Sequence, residues 1–165
     1  MLNNMEITQY ASFKLHQATA LLDRVADNYL RTHHGIRYAP FLVLLISKVV
    51  GPATQQRLAT ALDVSRASVN QRVSALKQQG LLSVVTDPED SRAHIVSLTE
   101  AGERLVAAAW EGLDRDLADV ETGIDERLLA EQLDRLIGNL LKVLEAQGGV
   151  QPVKAGRKGT YDGPA

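Results

Sequence analysis

The spacing of the apolar residues changes once along this chain, and that change limits the fold more than any other feature. Before Gly80 and again after Thr99, apolar residues recur at alternating steps of three and four, as on one face of an α-helix. Residues 81–86 and 93–98 are instead two short runs rich in β-branched residues, separated by a turn-forming cluster. The sequence therefore predicts a mostly α fold with one small β-hairpin.

Six helices are predicted, and capping residues mark several of their ends. The predicted ranges are residues 7–32, 40–50, 55–62, 65–79, 99–122 and 125–147. Thr54, Ser65 and Thr99 are typical N-caps, and Asp63-Val64 makes a tight turn between the third helix and the fourth. The second helix is apolar on nearly every face, so we expect it to lie deep in the core.

The composition argues against several classes of function. The 165 residues include no cysteine, which excludes disulfides, thiolate metal ligands and a cysteine nucleophile. The sequence contains no Gly-rich phosphate loop, no nucleophile elbow and no acidic metal cluster. No apolar run is long enough to span a membrane, and the N-terminus lacks the pattern of a signal peptide. We therefore expect a cytoplasmic protein that is not an enzyme and needs no cofactor.

Charge is distributed unevenly along the chain. The net charge is only -2, but residues 54–82 carry four basic side chains against the single acidic Asp63. Residues 99–145 carry twelve acidic side chains against five basic ones. One surface can therefore be basic enough to face phosphates although the whole protein is not.

The fourth helix carries the main functional signal. With Val69, Val73 and Leu76 turned inward, its other faces are polar, and no acidic residue occurs between Arg66 and Gln79. Arginine can form paired hydrogen bonds with guanine, and Asn and Gln can do so with adenine. If this helix were isolated, its polar residues could simply form a solvent-exposed face with no ligand. A tight turn before it and a hairpin after it favour a helix-turn-helix with a wing, which binds double-stranded DNA.

The predicted DNA-binding residues lie at helix starts, along the fourth helix or on the wing. They are Thr54, Ser65, Arg66, Ser68, Asn70, Gln71, Arg72, Ser74, Lys77 and Arg92. The serines and the free N–H groups at the start of the fourth helix suit phosphate oxygens.

Residues 55–102 resemble the MarR family of bacterial and archaeal regulators. The resemblance rests on the segments 57–62, 68–76 and 80–82, and on the acidic wing turn 87–92 that leads into 96–102. It implies a winged helix-turn-helix domain framed by long N- and C-terminal dimerisation helices. The chain departs from the family at 90–92, where Asp-Ser-Arg replaces the usual Asp-Arg-Arg, and at 83–85, where a basic residue is often found.

The resemblance also implies roles for two wing residues and a division into regions. Arg92 would reach the minor groove or its phosphates, and Asp90 would orient the wing by pairing with an arginine. A simple turn-forming role for Asp90 is an equal alternative. The implied regions are an N-terminal dimerisation helix (1–35), the winged helix-turn-helix (36–98), C-terminal dimerisation helices (99–147) and a flexible tail (148–165).

Partners follow from the apolar stripes on the first, fifth and sixth helices; the stripe of the fifth helix includes Val106, Trp110 and Leu113. A small winged domain cannot cover all three, so we predict a homodimer; a bundle of the three within one chain is the alternative. Family members commonly bind small aromatic or anionic effectors, which suggests a candidate effector pocket. Its candidate residues are Tyr10, Phe13, His16, Tyr29, His33, Tyr38 and Trp110. For each of them a structural role is the simpler interpretation.

Two further possibilities are weaker. His16, His33, His34 and His94 are the only histidines, and they do not show the spacing of a metal site, so no metal is expected. The wing is one arginine short at 90–92 and has no basic residue at 83–85, which leaves one alternative function. In that alternative, the chain is a helical dimerisation or small-ligand-binding module that has lost DNA binding.

Overall fold

The computed structural model describes residues 10–87, 93–117 and 120–148. Within these residues the chain is mostly helical with a small antiparallel sheet, which confirms the predicted fold class. The elements are α1 (Ala11–His34), α2 (Tyr38–Val50), β1 (Ala53–Thr54), α3 (Gln55–Leu62), α4 (Arg66–Gln78), β2 (Leu82–Thr86), β3 (His94–Leu98), α5 (Glu100–Leu117) and α6 (Glu126–Ala146).

The first turn of α2 is capped by a residue from another helix. Arg37 at its N-cap makes no side-chain cap, but the Tyr38 backbone N–H donates to Asp27 Oδ1 of α1 at 2.9 Å. Arg37 Nη2 lies 3.6 Å from the other carboxylate oxygen. The Tyr38 N–H, and after it the Arg37 charge, hold the pKa of Asp27 below its ordinary value. This cap explains why α2 begins two residues before Pro40, where the sequence predicted its start.

The sheet contains one strand that the sequence did not predict. The strand order is β1-β3-β2, and both pairings are antiparallel. Ala53 of β1 pairs with Val96 of β3, and Val84 of β2 pairs with the same residue from the other side. Ala53 and Val96 are both buried, so the sheet closes over the core beside the start of α3.

The core is built around α2, whose side chains Phe41, Val43 and Leu44 are fully buried. This helix contacts α1, α3, α4 and β3. The expectation that α2 lies deep in the core holds for most of the helix, but Val49 near its end is 73% exposed. The stripe predicted for α5 also needs correction. Ala109, not Trp110, shares the buried face with Val106 and Leu113.

The chain forms two compact units, which divide between Asp116 and Leu117. In the second unit, α6 begins where the sequence predicted, next to Asp125, whose side chain accepts from the Leu128 N–H. None of the residues of α6 is buried. Its exposed apolar side chains include Leu128, Leu129, Leu136, Ile137, Leu140, Leu141, Val143 and Leu144. In the first unit, α1 likewise exposes Phe13, Leu15, Leu21, Leu22 and Val25.

Among the described helices, none has the length and apolar character needed to cross a membrane.

Candidate nucleic-acid interface

The junction of α3 and α4 is fixed by two N-caps and a left-handed turn. Thr54 Oγ1 accepts from the Arg57 N–H at 3.3 Å, and Ser65 Oγ accepts from the Ser68 N–H at 3.2 Å. Asp63 ends α3 with φ 51°, a conformation that Asp tolerates better than most residues. Both caps and the tight turn are those that the sequence predicted, so Thr54 and Ser65 have at least a structural role. Each hydroxyl can still donate its own proton to a phosphate.

The inward face of α4 is the predicted one. Val69, Val73 and Leu76 are 0%, 1% and 1% exposed. At about 100° per residue, the opposite face is formed by Ala67, Gln71, Ser74 and Gln78, all exposed. Ala67 and Gln78 were absent from the predicted set, although the periodicity that placed the valines inward also places these two outward.

The remaining predicted residues of α4 lie on its two flanks. Asn70, Lys77 and Arg66 lie towards one side of the outward face and are exposed, whereas Arg72 and Ser68 lie towards the other and are half-buried. The two arginines are therefore on opposite sides of the helix, and they do not share the centre of its outward surface.

The basic side chains of this region carry uncompensated charge. Arg57, Arg66, Arg72 and Lys77 form no ion pair with any residue that the structure describes. Of the ten other lysines and arginines that the structure describes, five pair with a carboxylate: Arg37, Lys48, Arg104, Arg115 and Arg127. The positive charge around α4 is therefore available for phosphates.

A hydroxyl joins the end of α4 to the start of α5. Thr99 Oγ1 donates to the Gly80 carbonyl at 2.6 Å and accepts from the Gly102 N–H at 3.1 Å. The Thr99 N–H donates to the Leu81 carbonyl at 3.1 Å. A Cβ on Gly102 would come closer than 3.0 Å to that carbonyl oxygen, so only glycine fits. The sequence identified Thr99 as a helix cap, but its link to Gly80 is a tertiary contact that no local signal reveals.

The wing turn lies outside the described residues. The strands β2 and β3 that flank it form the predicted hairpin. Val96 of β3 is buried, whereas His94, two residues earlier on the same face of the strand, is exposed. Asp90 and Arg92, predicted to orient the wing and to contact DNA, belong to the segment 88–92 outside the described ranges.

The candidate effector residues lie at the start of α1 or along it, on α2 and on α5. Tyr29 contacts the ring of His33 at 4.6 Å between centroids and also contacts His34. Tyr10, Phe13, His16 and Trp110 are exposed. Tyr38 alone of the seven lines a cavity of about 960 Å³ between α1 and the start of α2, which is largely open to solvent. Burial, and after it the charge of Asp23, raise the pKa of Tyr38.

The lining of this cavity is both apolar and charged. Its walls include Leu21, Val25, Ala39 and Pro40, together with Arg24, Arg31, Arg37, Asp23, Asp27, Asn28 and Tyr38. Arg37 already pairs with Asp27, whereas Arg24 and Arg31 make no ion pair with a described residue. Among the described residues, no group of three or more His, Cys, Asp and Glu side chains is placed to hold a metal ion.

A helix-turn-helix followed by a two-stranded wing defines this region as a winged helix-turn-helix. The MarR family model matches residues 34–93. CouR from Rhodococcus jostii RHA1 bound to p-coumaroyl-CoA is 22% identical with a TM-score of 0.69, over 78% of this chain and 90% of CouR. A mutant MarR from E. coli complexed with operator DNA is 21% identical with a TM-score of 0.71, over 84% and 99%. BldR from Sulfolobus solfataricus is 19% identical with a TM-score of 0.73, also over 84% and 99%. The family resemblance drawn from the sequence is confirmed, and the fold is that of MarR-family transcription regulators.

Proposed function

We propose that this chain is a sequence-specific, double-stranded DNA-binding transcription regulator. It acts as a homodimeric repressor in the cytoplasm, without enzymatic activity. The observation that carries the proposal is the outward side of α4, which is polar and contains no acid. It is flanked by Arg66, Arg72 and Lys77, none of which pairs with a described carboxylate. Such a surface gains most of its binding free energy by neutralising phosphates and releasing counterions. The similar MarR was solved with operator DNA, which supports the same use of the fold here.

The exposed apolar faces of α1 and α6 support the homodimer. Apolar side chains along both helices, such as Leu22 and Leu140, remain 43% and 52% exposed in a single chain. A twofold mate that covers these faces would also supply a second recognition helix, as a near-palindromic operator requires.

A small effector is the third part of the proposal. The cavity beside α2 combines apolar walls with Arg24 and Arg31, a lining that suits an organic anion. CouR was solved with p-coumaroyl-CoA, an aromatic and anionic molecule, which supports this ligand class. Effector binding would act by favouring one spacing of the two recognition helices over another.

The test is the salt dependence of DNA binding. Wild-type protein is titrated against fluorescently labelled promoter fragments by anisotropy between 50 and 200 mM salt, where six to ten phosphate contacts predict a decrease of about 10³- to 10⁵-fold in affinity. The double variant Arg66→Ala/Arg72→Ala should bind more weakly, with a salt slope smaller by about 0.9 for each phosphate that it no longer neutralises. Circular dichroism checks that it remains folded, because Arg72 is half-buried.

A matched control removes two arginines that are already paired. Arg104→Ala/Arg115→Ala changes the net charge equally but takes both residues from ion pairs with Glu100 and Glu111 on α5. Its affinity should equal that of the wild type. Equal weakening by both double variants would contradict the assignment of the α4 surface. Failure of the wild type to bind any fragment would favour a dimerisation or ligand-binding module that has lost DNA binding.

A further inference from the structure

The centre of the outward face of α4 contains no cation. Ala67 and Gln71 lie one helical turn apart on the side opposite Val69 and Val73, and both are exposed. The nearest arginines, Arg66 and Arg72, project from the two flanks of the helix. Each points about 60° away from the centre of the buried face, and the two point to opposite sides of it. The helix thus presents a methyl group and a carboxamide between two lateral guanidinium groups.

The position of this pair along the helix matters as much as its direction. In helix-turn-helix proteins, the N-terminal residues of the recognition helix contact the base edges. Ala67 and Gln71 lie in the first two turns of α4, whereas Gln78 lies about 10 Å further along the axis. Residues on the flanks of a helix in the major groove face the phosphates along the groove walls.

We propose that Gln71 and Ala67 read an A·T base pair in each half-site, while Arg66 and Arg72 bind phosphates. A glutamine carboxamide donates to adenine N7 and accepts from adenine N6, and an alanine methyl packs against the C5-methyl of thymine. Guanine would be read by an arginine at this central place, and the described face has none there. This inference rests on the proposed DNA-binding function and adds the base that its recognition helix selects.

The experiment is selection from a pool of randomised duplexes followed by sequencing. It is run in parallel on the wild type, Gln71→Ala, Gln71→Arg and the control Gln79→Ala. Gln79 is also an exposed glutamine of this region, but it follows the last turn of α4 and does not share the outward face. Alanine and arginine are both strong helix formers, so the variants at the exposed Gln71 should fold normally.

The wild type and Gln79→Ala should enrich the same motif, with an A·T pair at one position of each half-site. Gln71→Ala should lose the preference at that position alone, by about 5- to 150-fold per half-site, and Gln71→Arg should favour G·C there. An unchanged A·T preference in both Gln71 variants, or a wild-type motif without a position that depends on Gln71, would overturn the inference while leaving the proposed function intact. If the wild type enriches no motif at all, the proposed function itself fails.

Discussion

The junction between α4 and α5 offers a sharp test of the packing, through Gly102→Ala. The new Cβ would press on the Leu81 carbonyl oxygen, and a backbone atom cannot rotate away as a side chain can. Overpacking of this kind costs about 1–3 kcal/mol. Relieving it means moving the start of α5, which strains the two hydrogen bonds of the Thr99 hydroxyl, at about 1 kcal/mol each. Replacing glycine by alanine in a helix returns about 1 kcal/mol. The expected net decrease in unfolding free energy is therefore about 2–4 kcal/mol.

The assay is thermal and urea unfolding followed by circular dichroism at one fixed protomer concentration, because dimerisation would couple stability to concentration. The expected decrease in melting temperature is roughly 5–15 °C. Gly138→Ala is the matched control, since Gly138 is also helical but an added Cβ there meets nothing within 4 Å. That variant should gain about 0.5–1 kcal/mol. If Gly102→Ala were as stable as Gly138→Ala, the close approach of α5 to Leu81 would be refuted.

Two other substitutions test contacts between helices. Thr99→Val removes the hydroxyl that joins α4 to α5 and should lower the free energy of unfolding in urea by about 2–3 kcal/mol. Thr99→Ser keeps the hydroxyl and should retain most of the stability. Equal decreases in the two variants would show that the methyl group matters instead. Asp27 tests the cap of α2 through pH. Because the pKa of Asp27 is lower in the folded protein than its ordinary 3.8, its stabilisation is present above that value and is lost as the pH falls through the folded pKa. The melting temperature of the wild type should therefore fall towards that of Asp27→Asn on acidification from about pH 5 to pH 3, and a constant difference would contradict the linkage.

Local signals predicted most of the fold. The caps at Thr54, Ser65 and Asp125 act within three residues of themselves, so the sequence alone predicted where those helices begin. The inward face of α4 also follows from one periodicity. The interior of the winged helix-turn-helix was therefore largely predictable, and so was the absence of acidic side chains on the outer surface of α4.

Contacts between distant segments were not predictable in this way. The strand β1 has two residues and exists only because it pairs with β3, more than forty residues later in the chain. The cap of α2 comes from Asp27 of another helix, which has no sequence signature. Trp110 shows the limit of a periodic stripe. Ala109 and Trp110 are adjacent apolar residues, and the small Ala109 faces the core while Trp110 is 49% exposed.

The helix α2 connects the two parts of the proposed function. Its first turn, held by Asp27, forms one wall of the cavity, and its body packs against α3, α4 and β3. The buried side chains Phe41 and Leu44 pack in the same core as Val69 and Val73 of α4. Packed cores move as units, because a displaced side chain would leave a void. We therefore expect a ligand in the cavity that shifts the first turn of α2 to move α4 without touching it.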